Sequence, residues 1–127
     1  MALCIVVEDH GDTREGYVEF LGLSGLKVLS AANADEFRAL LAAHTPDVIV
    51  MDLHLPKVDG WTLIREVKAA PETRTVPVVV VSAYVRPVDR EDAQLAGCDA
   101  FIPKPCDPAD VLAAIRRLSG ARDPGAL

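Results

Sequence analysis

The sequence predicts an α/β fold in which a five-stranded parallel sheet is covered by helices on both faces. Three observations carry that prediction. Short apolar runs alternate with helix-period segments five times along the chain. Three of those runs, beginning at Leu3, Val48 and Val78, are apolar throughout, as strands buried on both faces must be. The other two, at Lys27 and Ala100, are short and mixed, which places them at the edges.

Taken in order, Leu3-Cys4-Ile5-Val6-Val7 forms the first strand and ends in Glu8-Asp9. Strand side chains alternate in direction, so two adjacent acids can converge only where a strand gives way to a loop. Asp12, with Glu15 three residues on, reads as the N-cap of a first helix whose apolar side includes Tyr17, Phe20 and Leu21; Gly22 and Gly25 mark its exit. After the strand Lys27-Val28-Leu29, Asn33 and Glu36 form a second cap-like pair ahead of a helix burying Phe37, Leu40 and Leu41.

Pro46 opens the central strand that delivers Asp52 to the point where the chain leaves the sheet. Asp59-Gly60 makes a turn into a helix with Leu63, Ile64 and Val67 on one side. Pro77 starts Val78-Val79-Val80-Val81, which closes on Ser82. Pro87 suits the first turn of a fourth helix, polar apart from Val88, Leu95 and small alanines, and so weakly held. Ala100-Phe101-Ile102 is the last strand, with Pro103 fitting a sheet edge because it lacks an amide donor. Asp107 and Pro108 then cap and begin a final helix with Val111, Leu112, Ile115 and Leu118 on its buried side.

The strand order that puts the wholly apolar runs at the centre is the doubly wound, flavodoxin-like 2-1-3-4-5. Ligands in such sheets bind beyond the carboxyl ends of the strands, between strands 1 and 3. Glu8, Asp9 and Asp52 fall there.

At 127 residues the chain is expected to hold one domain, residues 1–119, and a short polar tail, 120–127, with no effector domain. A formal net charge of -6 gives no electrostatic footprint for direct nucleic-acid binding. The three cysteines, Cys4, Cys98 and Cys106, lack metal-site spacing and read as free thiols of a reducing compartment. With no leader-like start and no apolar segment of about 20 residues, the expectation is a cytoplasmic protein without membrane contact.

Three carboxylates meeting without cations would repel one another, so a bound divalent metal is the economical reading. Magnesium fits best, because it prefers oxygen ligands, keeps several waters and shares its shell with phosphates; the His54 backbone carbonyl could join Glu8, Asp9 and Asp52. The competing reading makes the acids helix caps or solvated turn residues. Ser82 and Lys104, at the ends of strands 4 and 5, add a hydroxyl and an ammonium at the same sheet edge. Together they can bond the oxygens of a phosphoryl group, although each alone would read as a turn residue or a solvated surface lysine.

Glu8-Asp9, the run Met51-Asp52-Leu53-His54-Leu55-Pro56 with Asp59-Gly60 behind it, Ser82-Ala83 and Lys104-Pro105 resemble, as an ordered set, the receiver domain of two-component response regulators over about residues 3 to 119. The resemblance implies Asp52 as phosphoacceptor and Mg2+ held by Glu8, Asp9 and Asp52. It also implies phosphoryl contacts from Ser82, the Ala83 backbone and Lys104, a switch formed by Ser82 and Phe101, and a cis bond before Pro105. His54 and Tyr84 resemble positions that tune dephosphorylation. Phe101 stands where tyrosine is frequent, so its switch would work by burial alone.

Within that family, the Gly97-Cys98-Asp99 and Lys104-Pro105-Cys106-Asp107-Pro108 stretches are most similar to stand-alone regulators and to the receivers of hybrid kinases. A sensor histidine kinase or a histidine phosphotransfer protein would then be the donor, and the domain would catalyse its own phosphoryl transfer and autodephosphorylation without being an enzyme in the ordinary sense. Readout would pass to a protein target through the surface of helix 4, strand 5 and helix 5, with Arg86, Arg90, Arg116 and Arg117 as candidate contacts. Two other functions compete. One is a phosphate-independent interaction module. The other is a haloacid-dehalogenase-type phosphatase, which would need an aspartate where His54 stands.

Overall fold

A computed structural model of the chain describes residues 2–83 and 87–122, the side chains of 87–90, 93 and 119–122 excepted. Strands and helices alternate as β1 (Leu3–Val7), α1 (Gly11–Leu23), β2 (Lys27–Ala31), α2 (Ala34–Ala43), β3 (Val48–Asp52), α3 (Gly60–Ala69), β4 (Val78–Ser82), α4 (Pro87–Ala96), β5 (Ala100–Pro103) and α5 (Pro108–Arg122). The sheet has the order β2-β1-β3-β4-β5, and its pairings are parallel. The switch in winding direction therefore falls between β1 and β3, where the sequence pattern placed it.

The period-two alternation of the central strands divides the core into two layers. Ile5, Val7, Ile49, Met51, Val78 and Val80 face α2 and α3, where Phe37, Leu63, Ile64 and Val67 meet them. Cys4, Val6, Val48, Val50, Val79 and Val81 face α1 and α5, against Tyr17, Leu21, Val111 and Ile115. Full burial of each large aliphatic side chain contributes about 1.5–3 kcal/mol, so the sheet is a rigid platform and variation is confined to its ends.

Local signals account for most boundaries. Asn33 caps α2 by accepting from the Glu36 N–H at 2.9 Å, and Glu36 reaches back to the Ala32 N–H at 2.8 Å. Asp107 accepts from the Ala109 N–H at 3.0 Å at the start of α5. The first cap differs from the expectation on Asp12. His10 is the N-cap of α1, its ring Nδ1 accepting from the Thr13 N–H at 3.3 Å, and Asp12 lies inside the first turn, where an acid favours the helix dipole instead.

In the C-terminal half, α4 is thinly packed, as its polar sequence suggests, and α5 runs past its expected end. Leu95 is 86% exposed, and among the described side chains of α4 only Ala96 is buried. The helix α5 runs to Arg122, so residues 120–122, expected as tail, are helical. Tyr84 and Arg86 lie outside the described residues, as does the Arg90 side chain. Arg116 and Arg117 are exposed on α5.

Candidate functional site

Four strand ends build the site. β1 hands over to Glu8 and Asp9, β3 terminates in Asp52, and β4 terminates in Ser82 beside the end of β5. The Lys104 N–H donates to the Ser82 carbonyl at 2.8 Å, extending the β4–β5 pairing by one step. The Lys104–Pro105 peptide is cis.

The loop after Asp52 is held from behind by α3. Asp59 caps that helix, accepting from the Thr62 N–H at 2.9 Å, and the Gly60 N–H donates to the Leu53 carbonyl at 3.1 Å. A Cβ on Gly60 would lie 2.7 Å from the Leu53 Cα and 2.9 Å from the Asp52 carbonyl oxygen. Only glycine lets the helix approach so closely, and that approach sets where the chain leaves β3.

Glu8, Asp9 and Asp52 each present a carboxylate oxygen within 4.8 Å of the others. Glu8 is 2% and Asp52 6% exposed, whereas Asp9 faces solvent. The Lys104 ammonium bridges the buried pair, 2.8 Å from Glu8 Oε1 and 3.2 Å from Asp52 Oδ2. Backbone amides hold the remaining oxygens: His10 N–H donates to Glu8 Oε2 at 3.2 Å, and His54 N–H to Asp52 Oδ1 at 2.9 Å. Burial works to lower the Lys104 pKa, but the Glu8 hydrogen bond and the charges of Asp52 and Glu8 outweigh it and leave the ammonium raised above its ordinary value.

An open hollow of about 370 Å³ lies over this cluster, lined by Glu8, Asp9, His10, Thr13, Asp52, His54, Ala83 and Lys104. It has room for a phosphoryl group with several waters, and its volume is at the low end for ligand pockets. Ser82, next to the lining residue Ala83, is fully buried. Phe101 is half-buried and packs against the α2–α3 layer, on β5, two strands from the strand that carries Asp52.

The donor set is all oxygen and carries three negative charges against one nearby ammonium. That chemistry fits a hard divalent cation with incomplete protein ligation, such as Mg2+. His54 is exposed at the rim and offers no second carboxylate two places after Asp52.

The structure thus brings Glu8, Asp9, Asp52, Ser82, Ala83, Lys104 and the His54 backbone to one end of the sheet. Sequence reasoning missed the Gly60 approach, the His10 cap and Arg14, whose guanidinium Nη1 donates to the Glu8 carbonyl at 3.1 Å and the Asp9 carbonyl at 3.5 Å. An arginine in a first helical turn, against the helix dipole, was the available signal.

Residues 4–116 match the model of the response regulator receiver domain. The response regulator Rre1 of Synechocystis is 36% identical over 90% of this chain, which spans 50% of that protein's length. The polar-differentiation response regulator DivK of Brucella anthropi is 33% identical, over 80% of this chain and 82% of its own. Among solved structures, the receiver domain of a signal transduction histidine kinase from Syntrophus aciditrophicus is similar with a TM-score of 0.88 at 29% identity, covering 95% of this chain and 92% of that one.

Proposed function

The chain belongs to the response regulator receiver family, and on that premise we propose that it accepts a phosphoryl group onto Asp52 from a phosphohistidine donor and uses the acyl phosphate as a protein-interaction switch or relay. One observation carries the reading: a nearly buried carboxylate at the end of β3 shares a single ammonium with a second buried carboxylate, Glu8.

An Asp52 oxygen attacks phosphorus in line with the departing imidazole. The P–N bond of the donor breaks, a P–O bond to Asp52 forms, and the imidazole takes a proton from solvent. Forming this acyl phosphate removes the Asp52 carboxylate charge that Lys104 now pairs with and places a more highly charged group in the same hollow. Lys104 transfers to a phosphoryl oxygen, while the Ser82 hydroxyl and the Ala83 N–H donate to others. Mg2+ held by Glu8, Asp9, Asp52 and the His54 carbonyl supplies neutralisation of the phosphoryl oxygens when bound. His54, at the rim, and Tyr84 tune water access to the acyl phosphate.

Movement of Ser82 towards the phosphoryl group makes room for Phe101 to become more buried. The thin seat of α4, with Leu95 exposed and Ala96 its buried anchor among the described side chains, is the element able to respond. The α4–β5–α5 surface, with Arg116 and Arg117, meets the downstream protein. The donor is a sensor histidine kinase or a histidine phosphotransfer protein, in the cytoplasm. No helix among the described residues is long and apolar enough to cross a membrane.

Amide NMR spectra with Mg2+ and beryllofluoride, a phosphoryl mimic, test the reading. Wild type should show shifts at Ser82, Lys104 and Phe101 that require both Mg2+ and Asp52, and Asp52→Asn should show none. An unchanged wild-type spectrum would replace the phosphoacceptor with a phosphate-independent interaction module. Repeated turnover of a small phosphomonoester would instead favour a phosphatase.

A further inference from the structure

We propose that Arg14 is a positioning residue for the metal-binding acids, holding the backbone of Glu8 and Asp9 so that both carboxylates stay turned into the site. The inference rests on the phosphoacceptor reading through the metal alone. Side chains on a helix lean towards its N-terminus, so Arg14, in the first turn of α1, folds back over the loop that precedes its own helix. Its Nη1 donates to two successive carbonyls, Glu8 O at 3.1 Å and Asp9 O at 3.5 Å.

The two acids need this hold unequally. Glu8 is fixed four times over: its N–H donates to the Ala31 carbonyl at 3.0 Å, its carboxylate is held by Lys104 and the His10 N–H, and Arg14 holds its carbonyl. Asp9 is exposed, and its carboxylate has no hydrogen-bonding partner among the described residues, so its place is set through its backbone. Mg2+ demands near-ideal ligand geometry, which makes a wandering Asp9 costly.

Charge alone argues the other way. A guanidinium beside the acids repels a dication and opposes the positive end of the α1 dipole, so a purely electrostatic Arg14 would weaken Mg2+ binding. The two accounts therefore predict opposite signs when it is removed.

The test is the Mg2+ dissociation constant of the full chain, read from amide shifts of Glu8, Asp9 and Asp52, alongside urea stability. Arg14→Met should bind Mg2+ about tenfold more weakly, the low end for loss of a residue that orients metal ligands. Arg14→Lys, whose ammonium can still donate to both carbonyls, should recover most of that loss, and Arg14→Gln should fall between. Equal or tighter binding by Arg14→Met overturns the proposal, as does Arg14→Lys binding no better than Arg14→Met. If Arg14→Met does not fold, Arg14→Gln decides: weaker binding than wild type supports positioning, equal or tighter binding ends it. Failure of wild type itself to bind Mg2+ removes the phosphoacceptor reading together with this one.

Discussion

Replacing Lys104 with methionine should destabilise the metal-free protein by about 3 kcal/mol. The ammonium lies 2.8 Å from Glu8 Oε1 and 3.2 Å from Asp52 Oδ2, and these carboxylates are only 2% and 6% exposed. Removing one partner of a buried ion pair costs about 3–5 kcal/mol, because the charge left behind stays desolvated. The low end applies here, since the Lys104 side chain is 26% exposed and the amides of His10 and His54 keep their bonds to the acids. With a urea dependence of about 2 kcal/mol per molar, the unfolding midpoint should fall by roughly 1.5 M in EDTA. Adding Mg2+ should narrow the gap: a tenfold excess over its dissociation constant contributes about 1.4 kcal/mol, and the variant has lost the ammonium that competes for the same oxygens. The Lys104 pKa is raised, so its contribution is complete below the unfolded value of about 10.4 and is lost only as pH climbs through the higher folded value. The difference between the proteins should therefore be flat from neutral pH to about pH 10. A metal-free Lys104→Met within about 0.5 kcal/mol of wild type, or one gaining no more from Mg2+, would refute this reasoning.

Gly60→Ala should cost about 1–3 kcal/mol, because its Cβ would meet backbone atoms 2.7 and 2.9 Å away that cannot rotate aside. Phosphorylation of Asp52 by a small-molecule donor should slow by up to about 100-fold, since the loop must shift on the scale of 1 Å; an unchanged rate would show that Gly60 does not place Asp52. Burial pushes the Cys4 thiol from 9.0 up to about 12, so its thiolate fraction at pH 8 should be about 1,000-fold below that of the unfolded chain. Alkylation followed by mass spectrometry should label Cys4 only on unfolding, and because the folded state holds this proton more tightly, the contribution of Cys4 to stability should decline as pH rises above 9.0. Glu66 accepts two hydrogen bonds from Arg38, at 3.0 and 2.7 Å, and its pKa is lowered from 4.5 by that partner. Its contribution is therefore present above the unfolded pKa and lost as pH falls through the folded one, so Glu66→Gln should flatten acid unfolding in that window, less so in high salt.

Legibility in the sequence followed the kind of constraint involved. The runs at Leu3, Val48 and Val78 could be assigned because burial on both faces leaves no room for polar residues, and from them the strand order followed. Glu8, Asp9 and Asp52 could be placed because an acid at the end of an apolar strand has nowhere to point but the sheet edge. The α1 cap was misread because His10 is a rare capping residue and the Asp12/Glu15 pair satisfied the commoner pattern. Arg14 and Gly60 act on backbone brought near only by the fold, Arg14 on carbonyls five and six residues back and Gly60 on a strand end seven and eight back. Pattern rules written for side-chain faces do not register such contacts.

The two ends of the sheet are built on opposite electrostatic plans. At the amino end of β4, Lys68 donates to the Val76 carbonyl at 2.8 Å and to Asp99 Oδ2 at 3.0 Å, and the same Asp99 oxygen accepts from the Val78 N–H at 2.8 Å. One cation meets one anion there, and backbone groups complete the set. Gly97, at φ 105°, lets the α4–β5 connection lie against the Lys68 side chain, where a Cβ would come within 2.9 Å of Lys68 Cγ. At the carboxyl end, one ammonium serves two buried carboxylates with a third close by. A neutralised staple has little to gain from a new ligand, whereas an under-neutralised cluster gains from any added cation and must redistribute Lys104 when the Asp52 charge changes. The helix α4 joins these ends: its C-terminal turn is anchored by Ala96 and the Lys68 staple, and its preceding described side chains lie exposed. On the phosphoacceptor reading, a change at Asp52 would meet resistance along β3 and β4, which are buried on both faces, and less at the exposed described residues of α4 before that anchor.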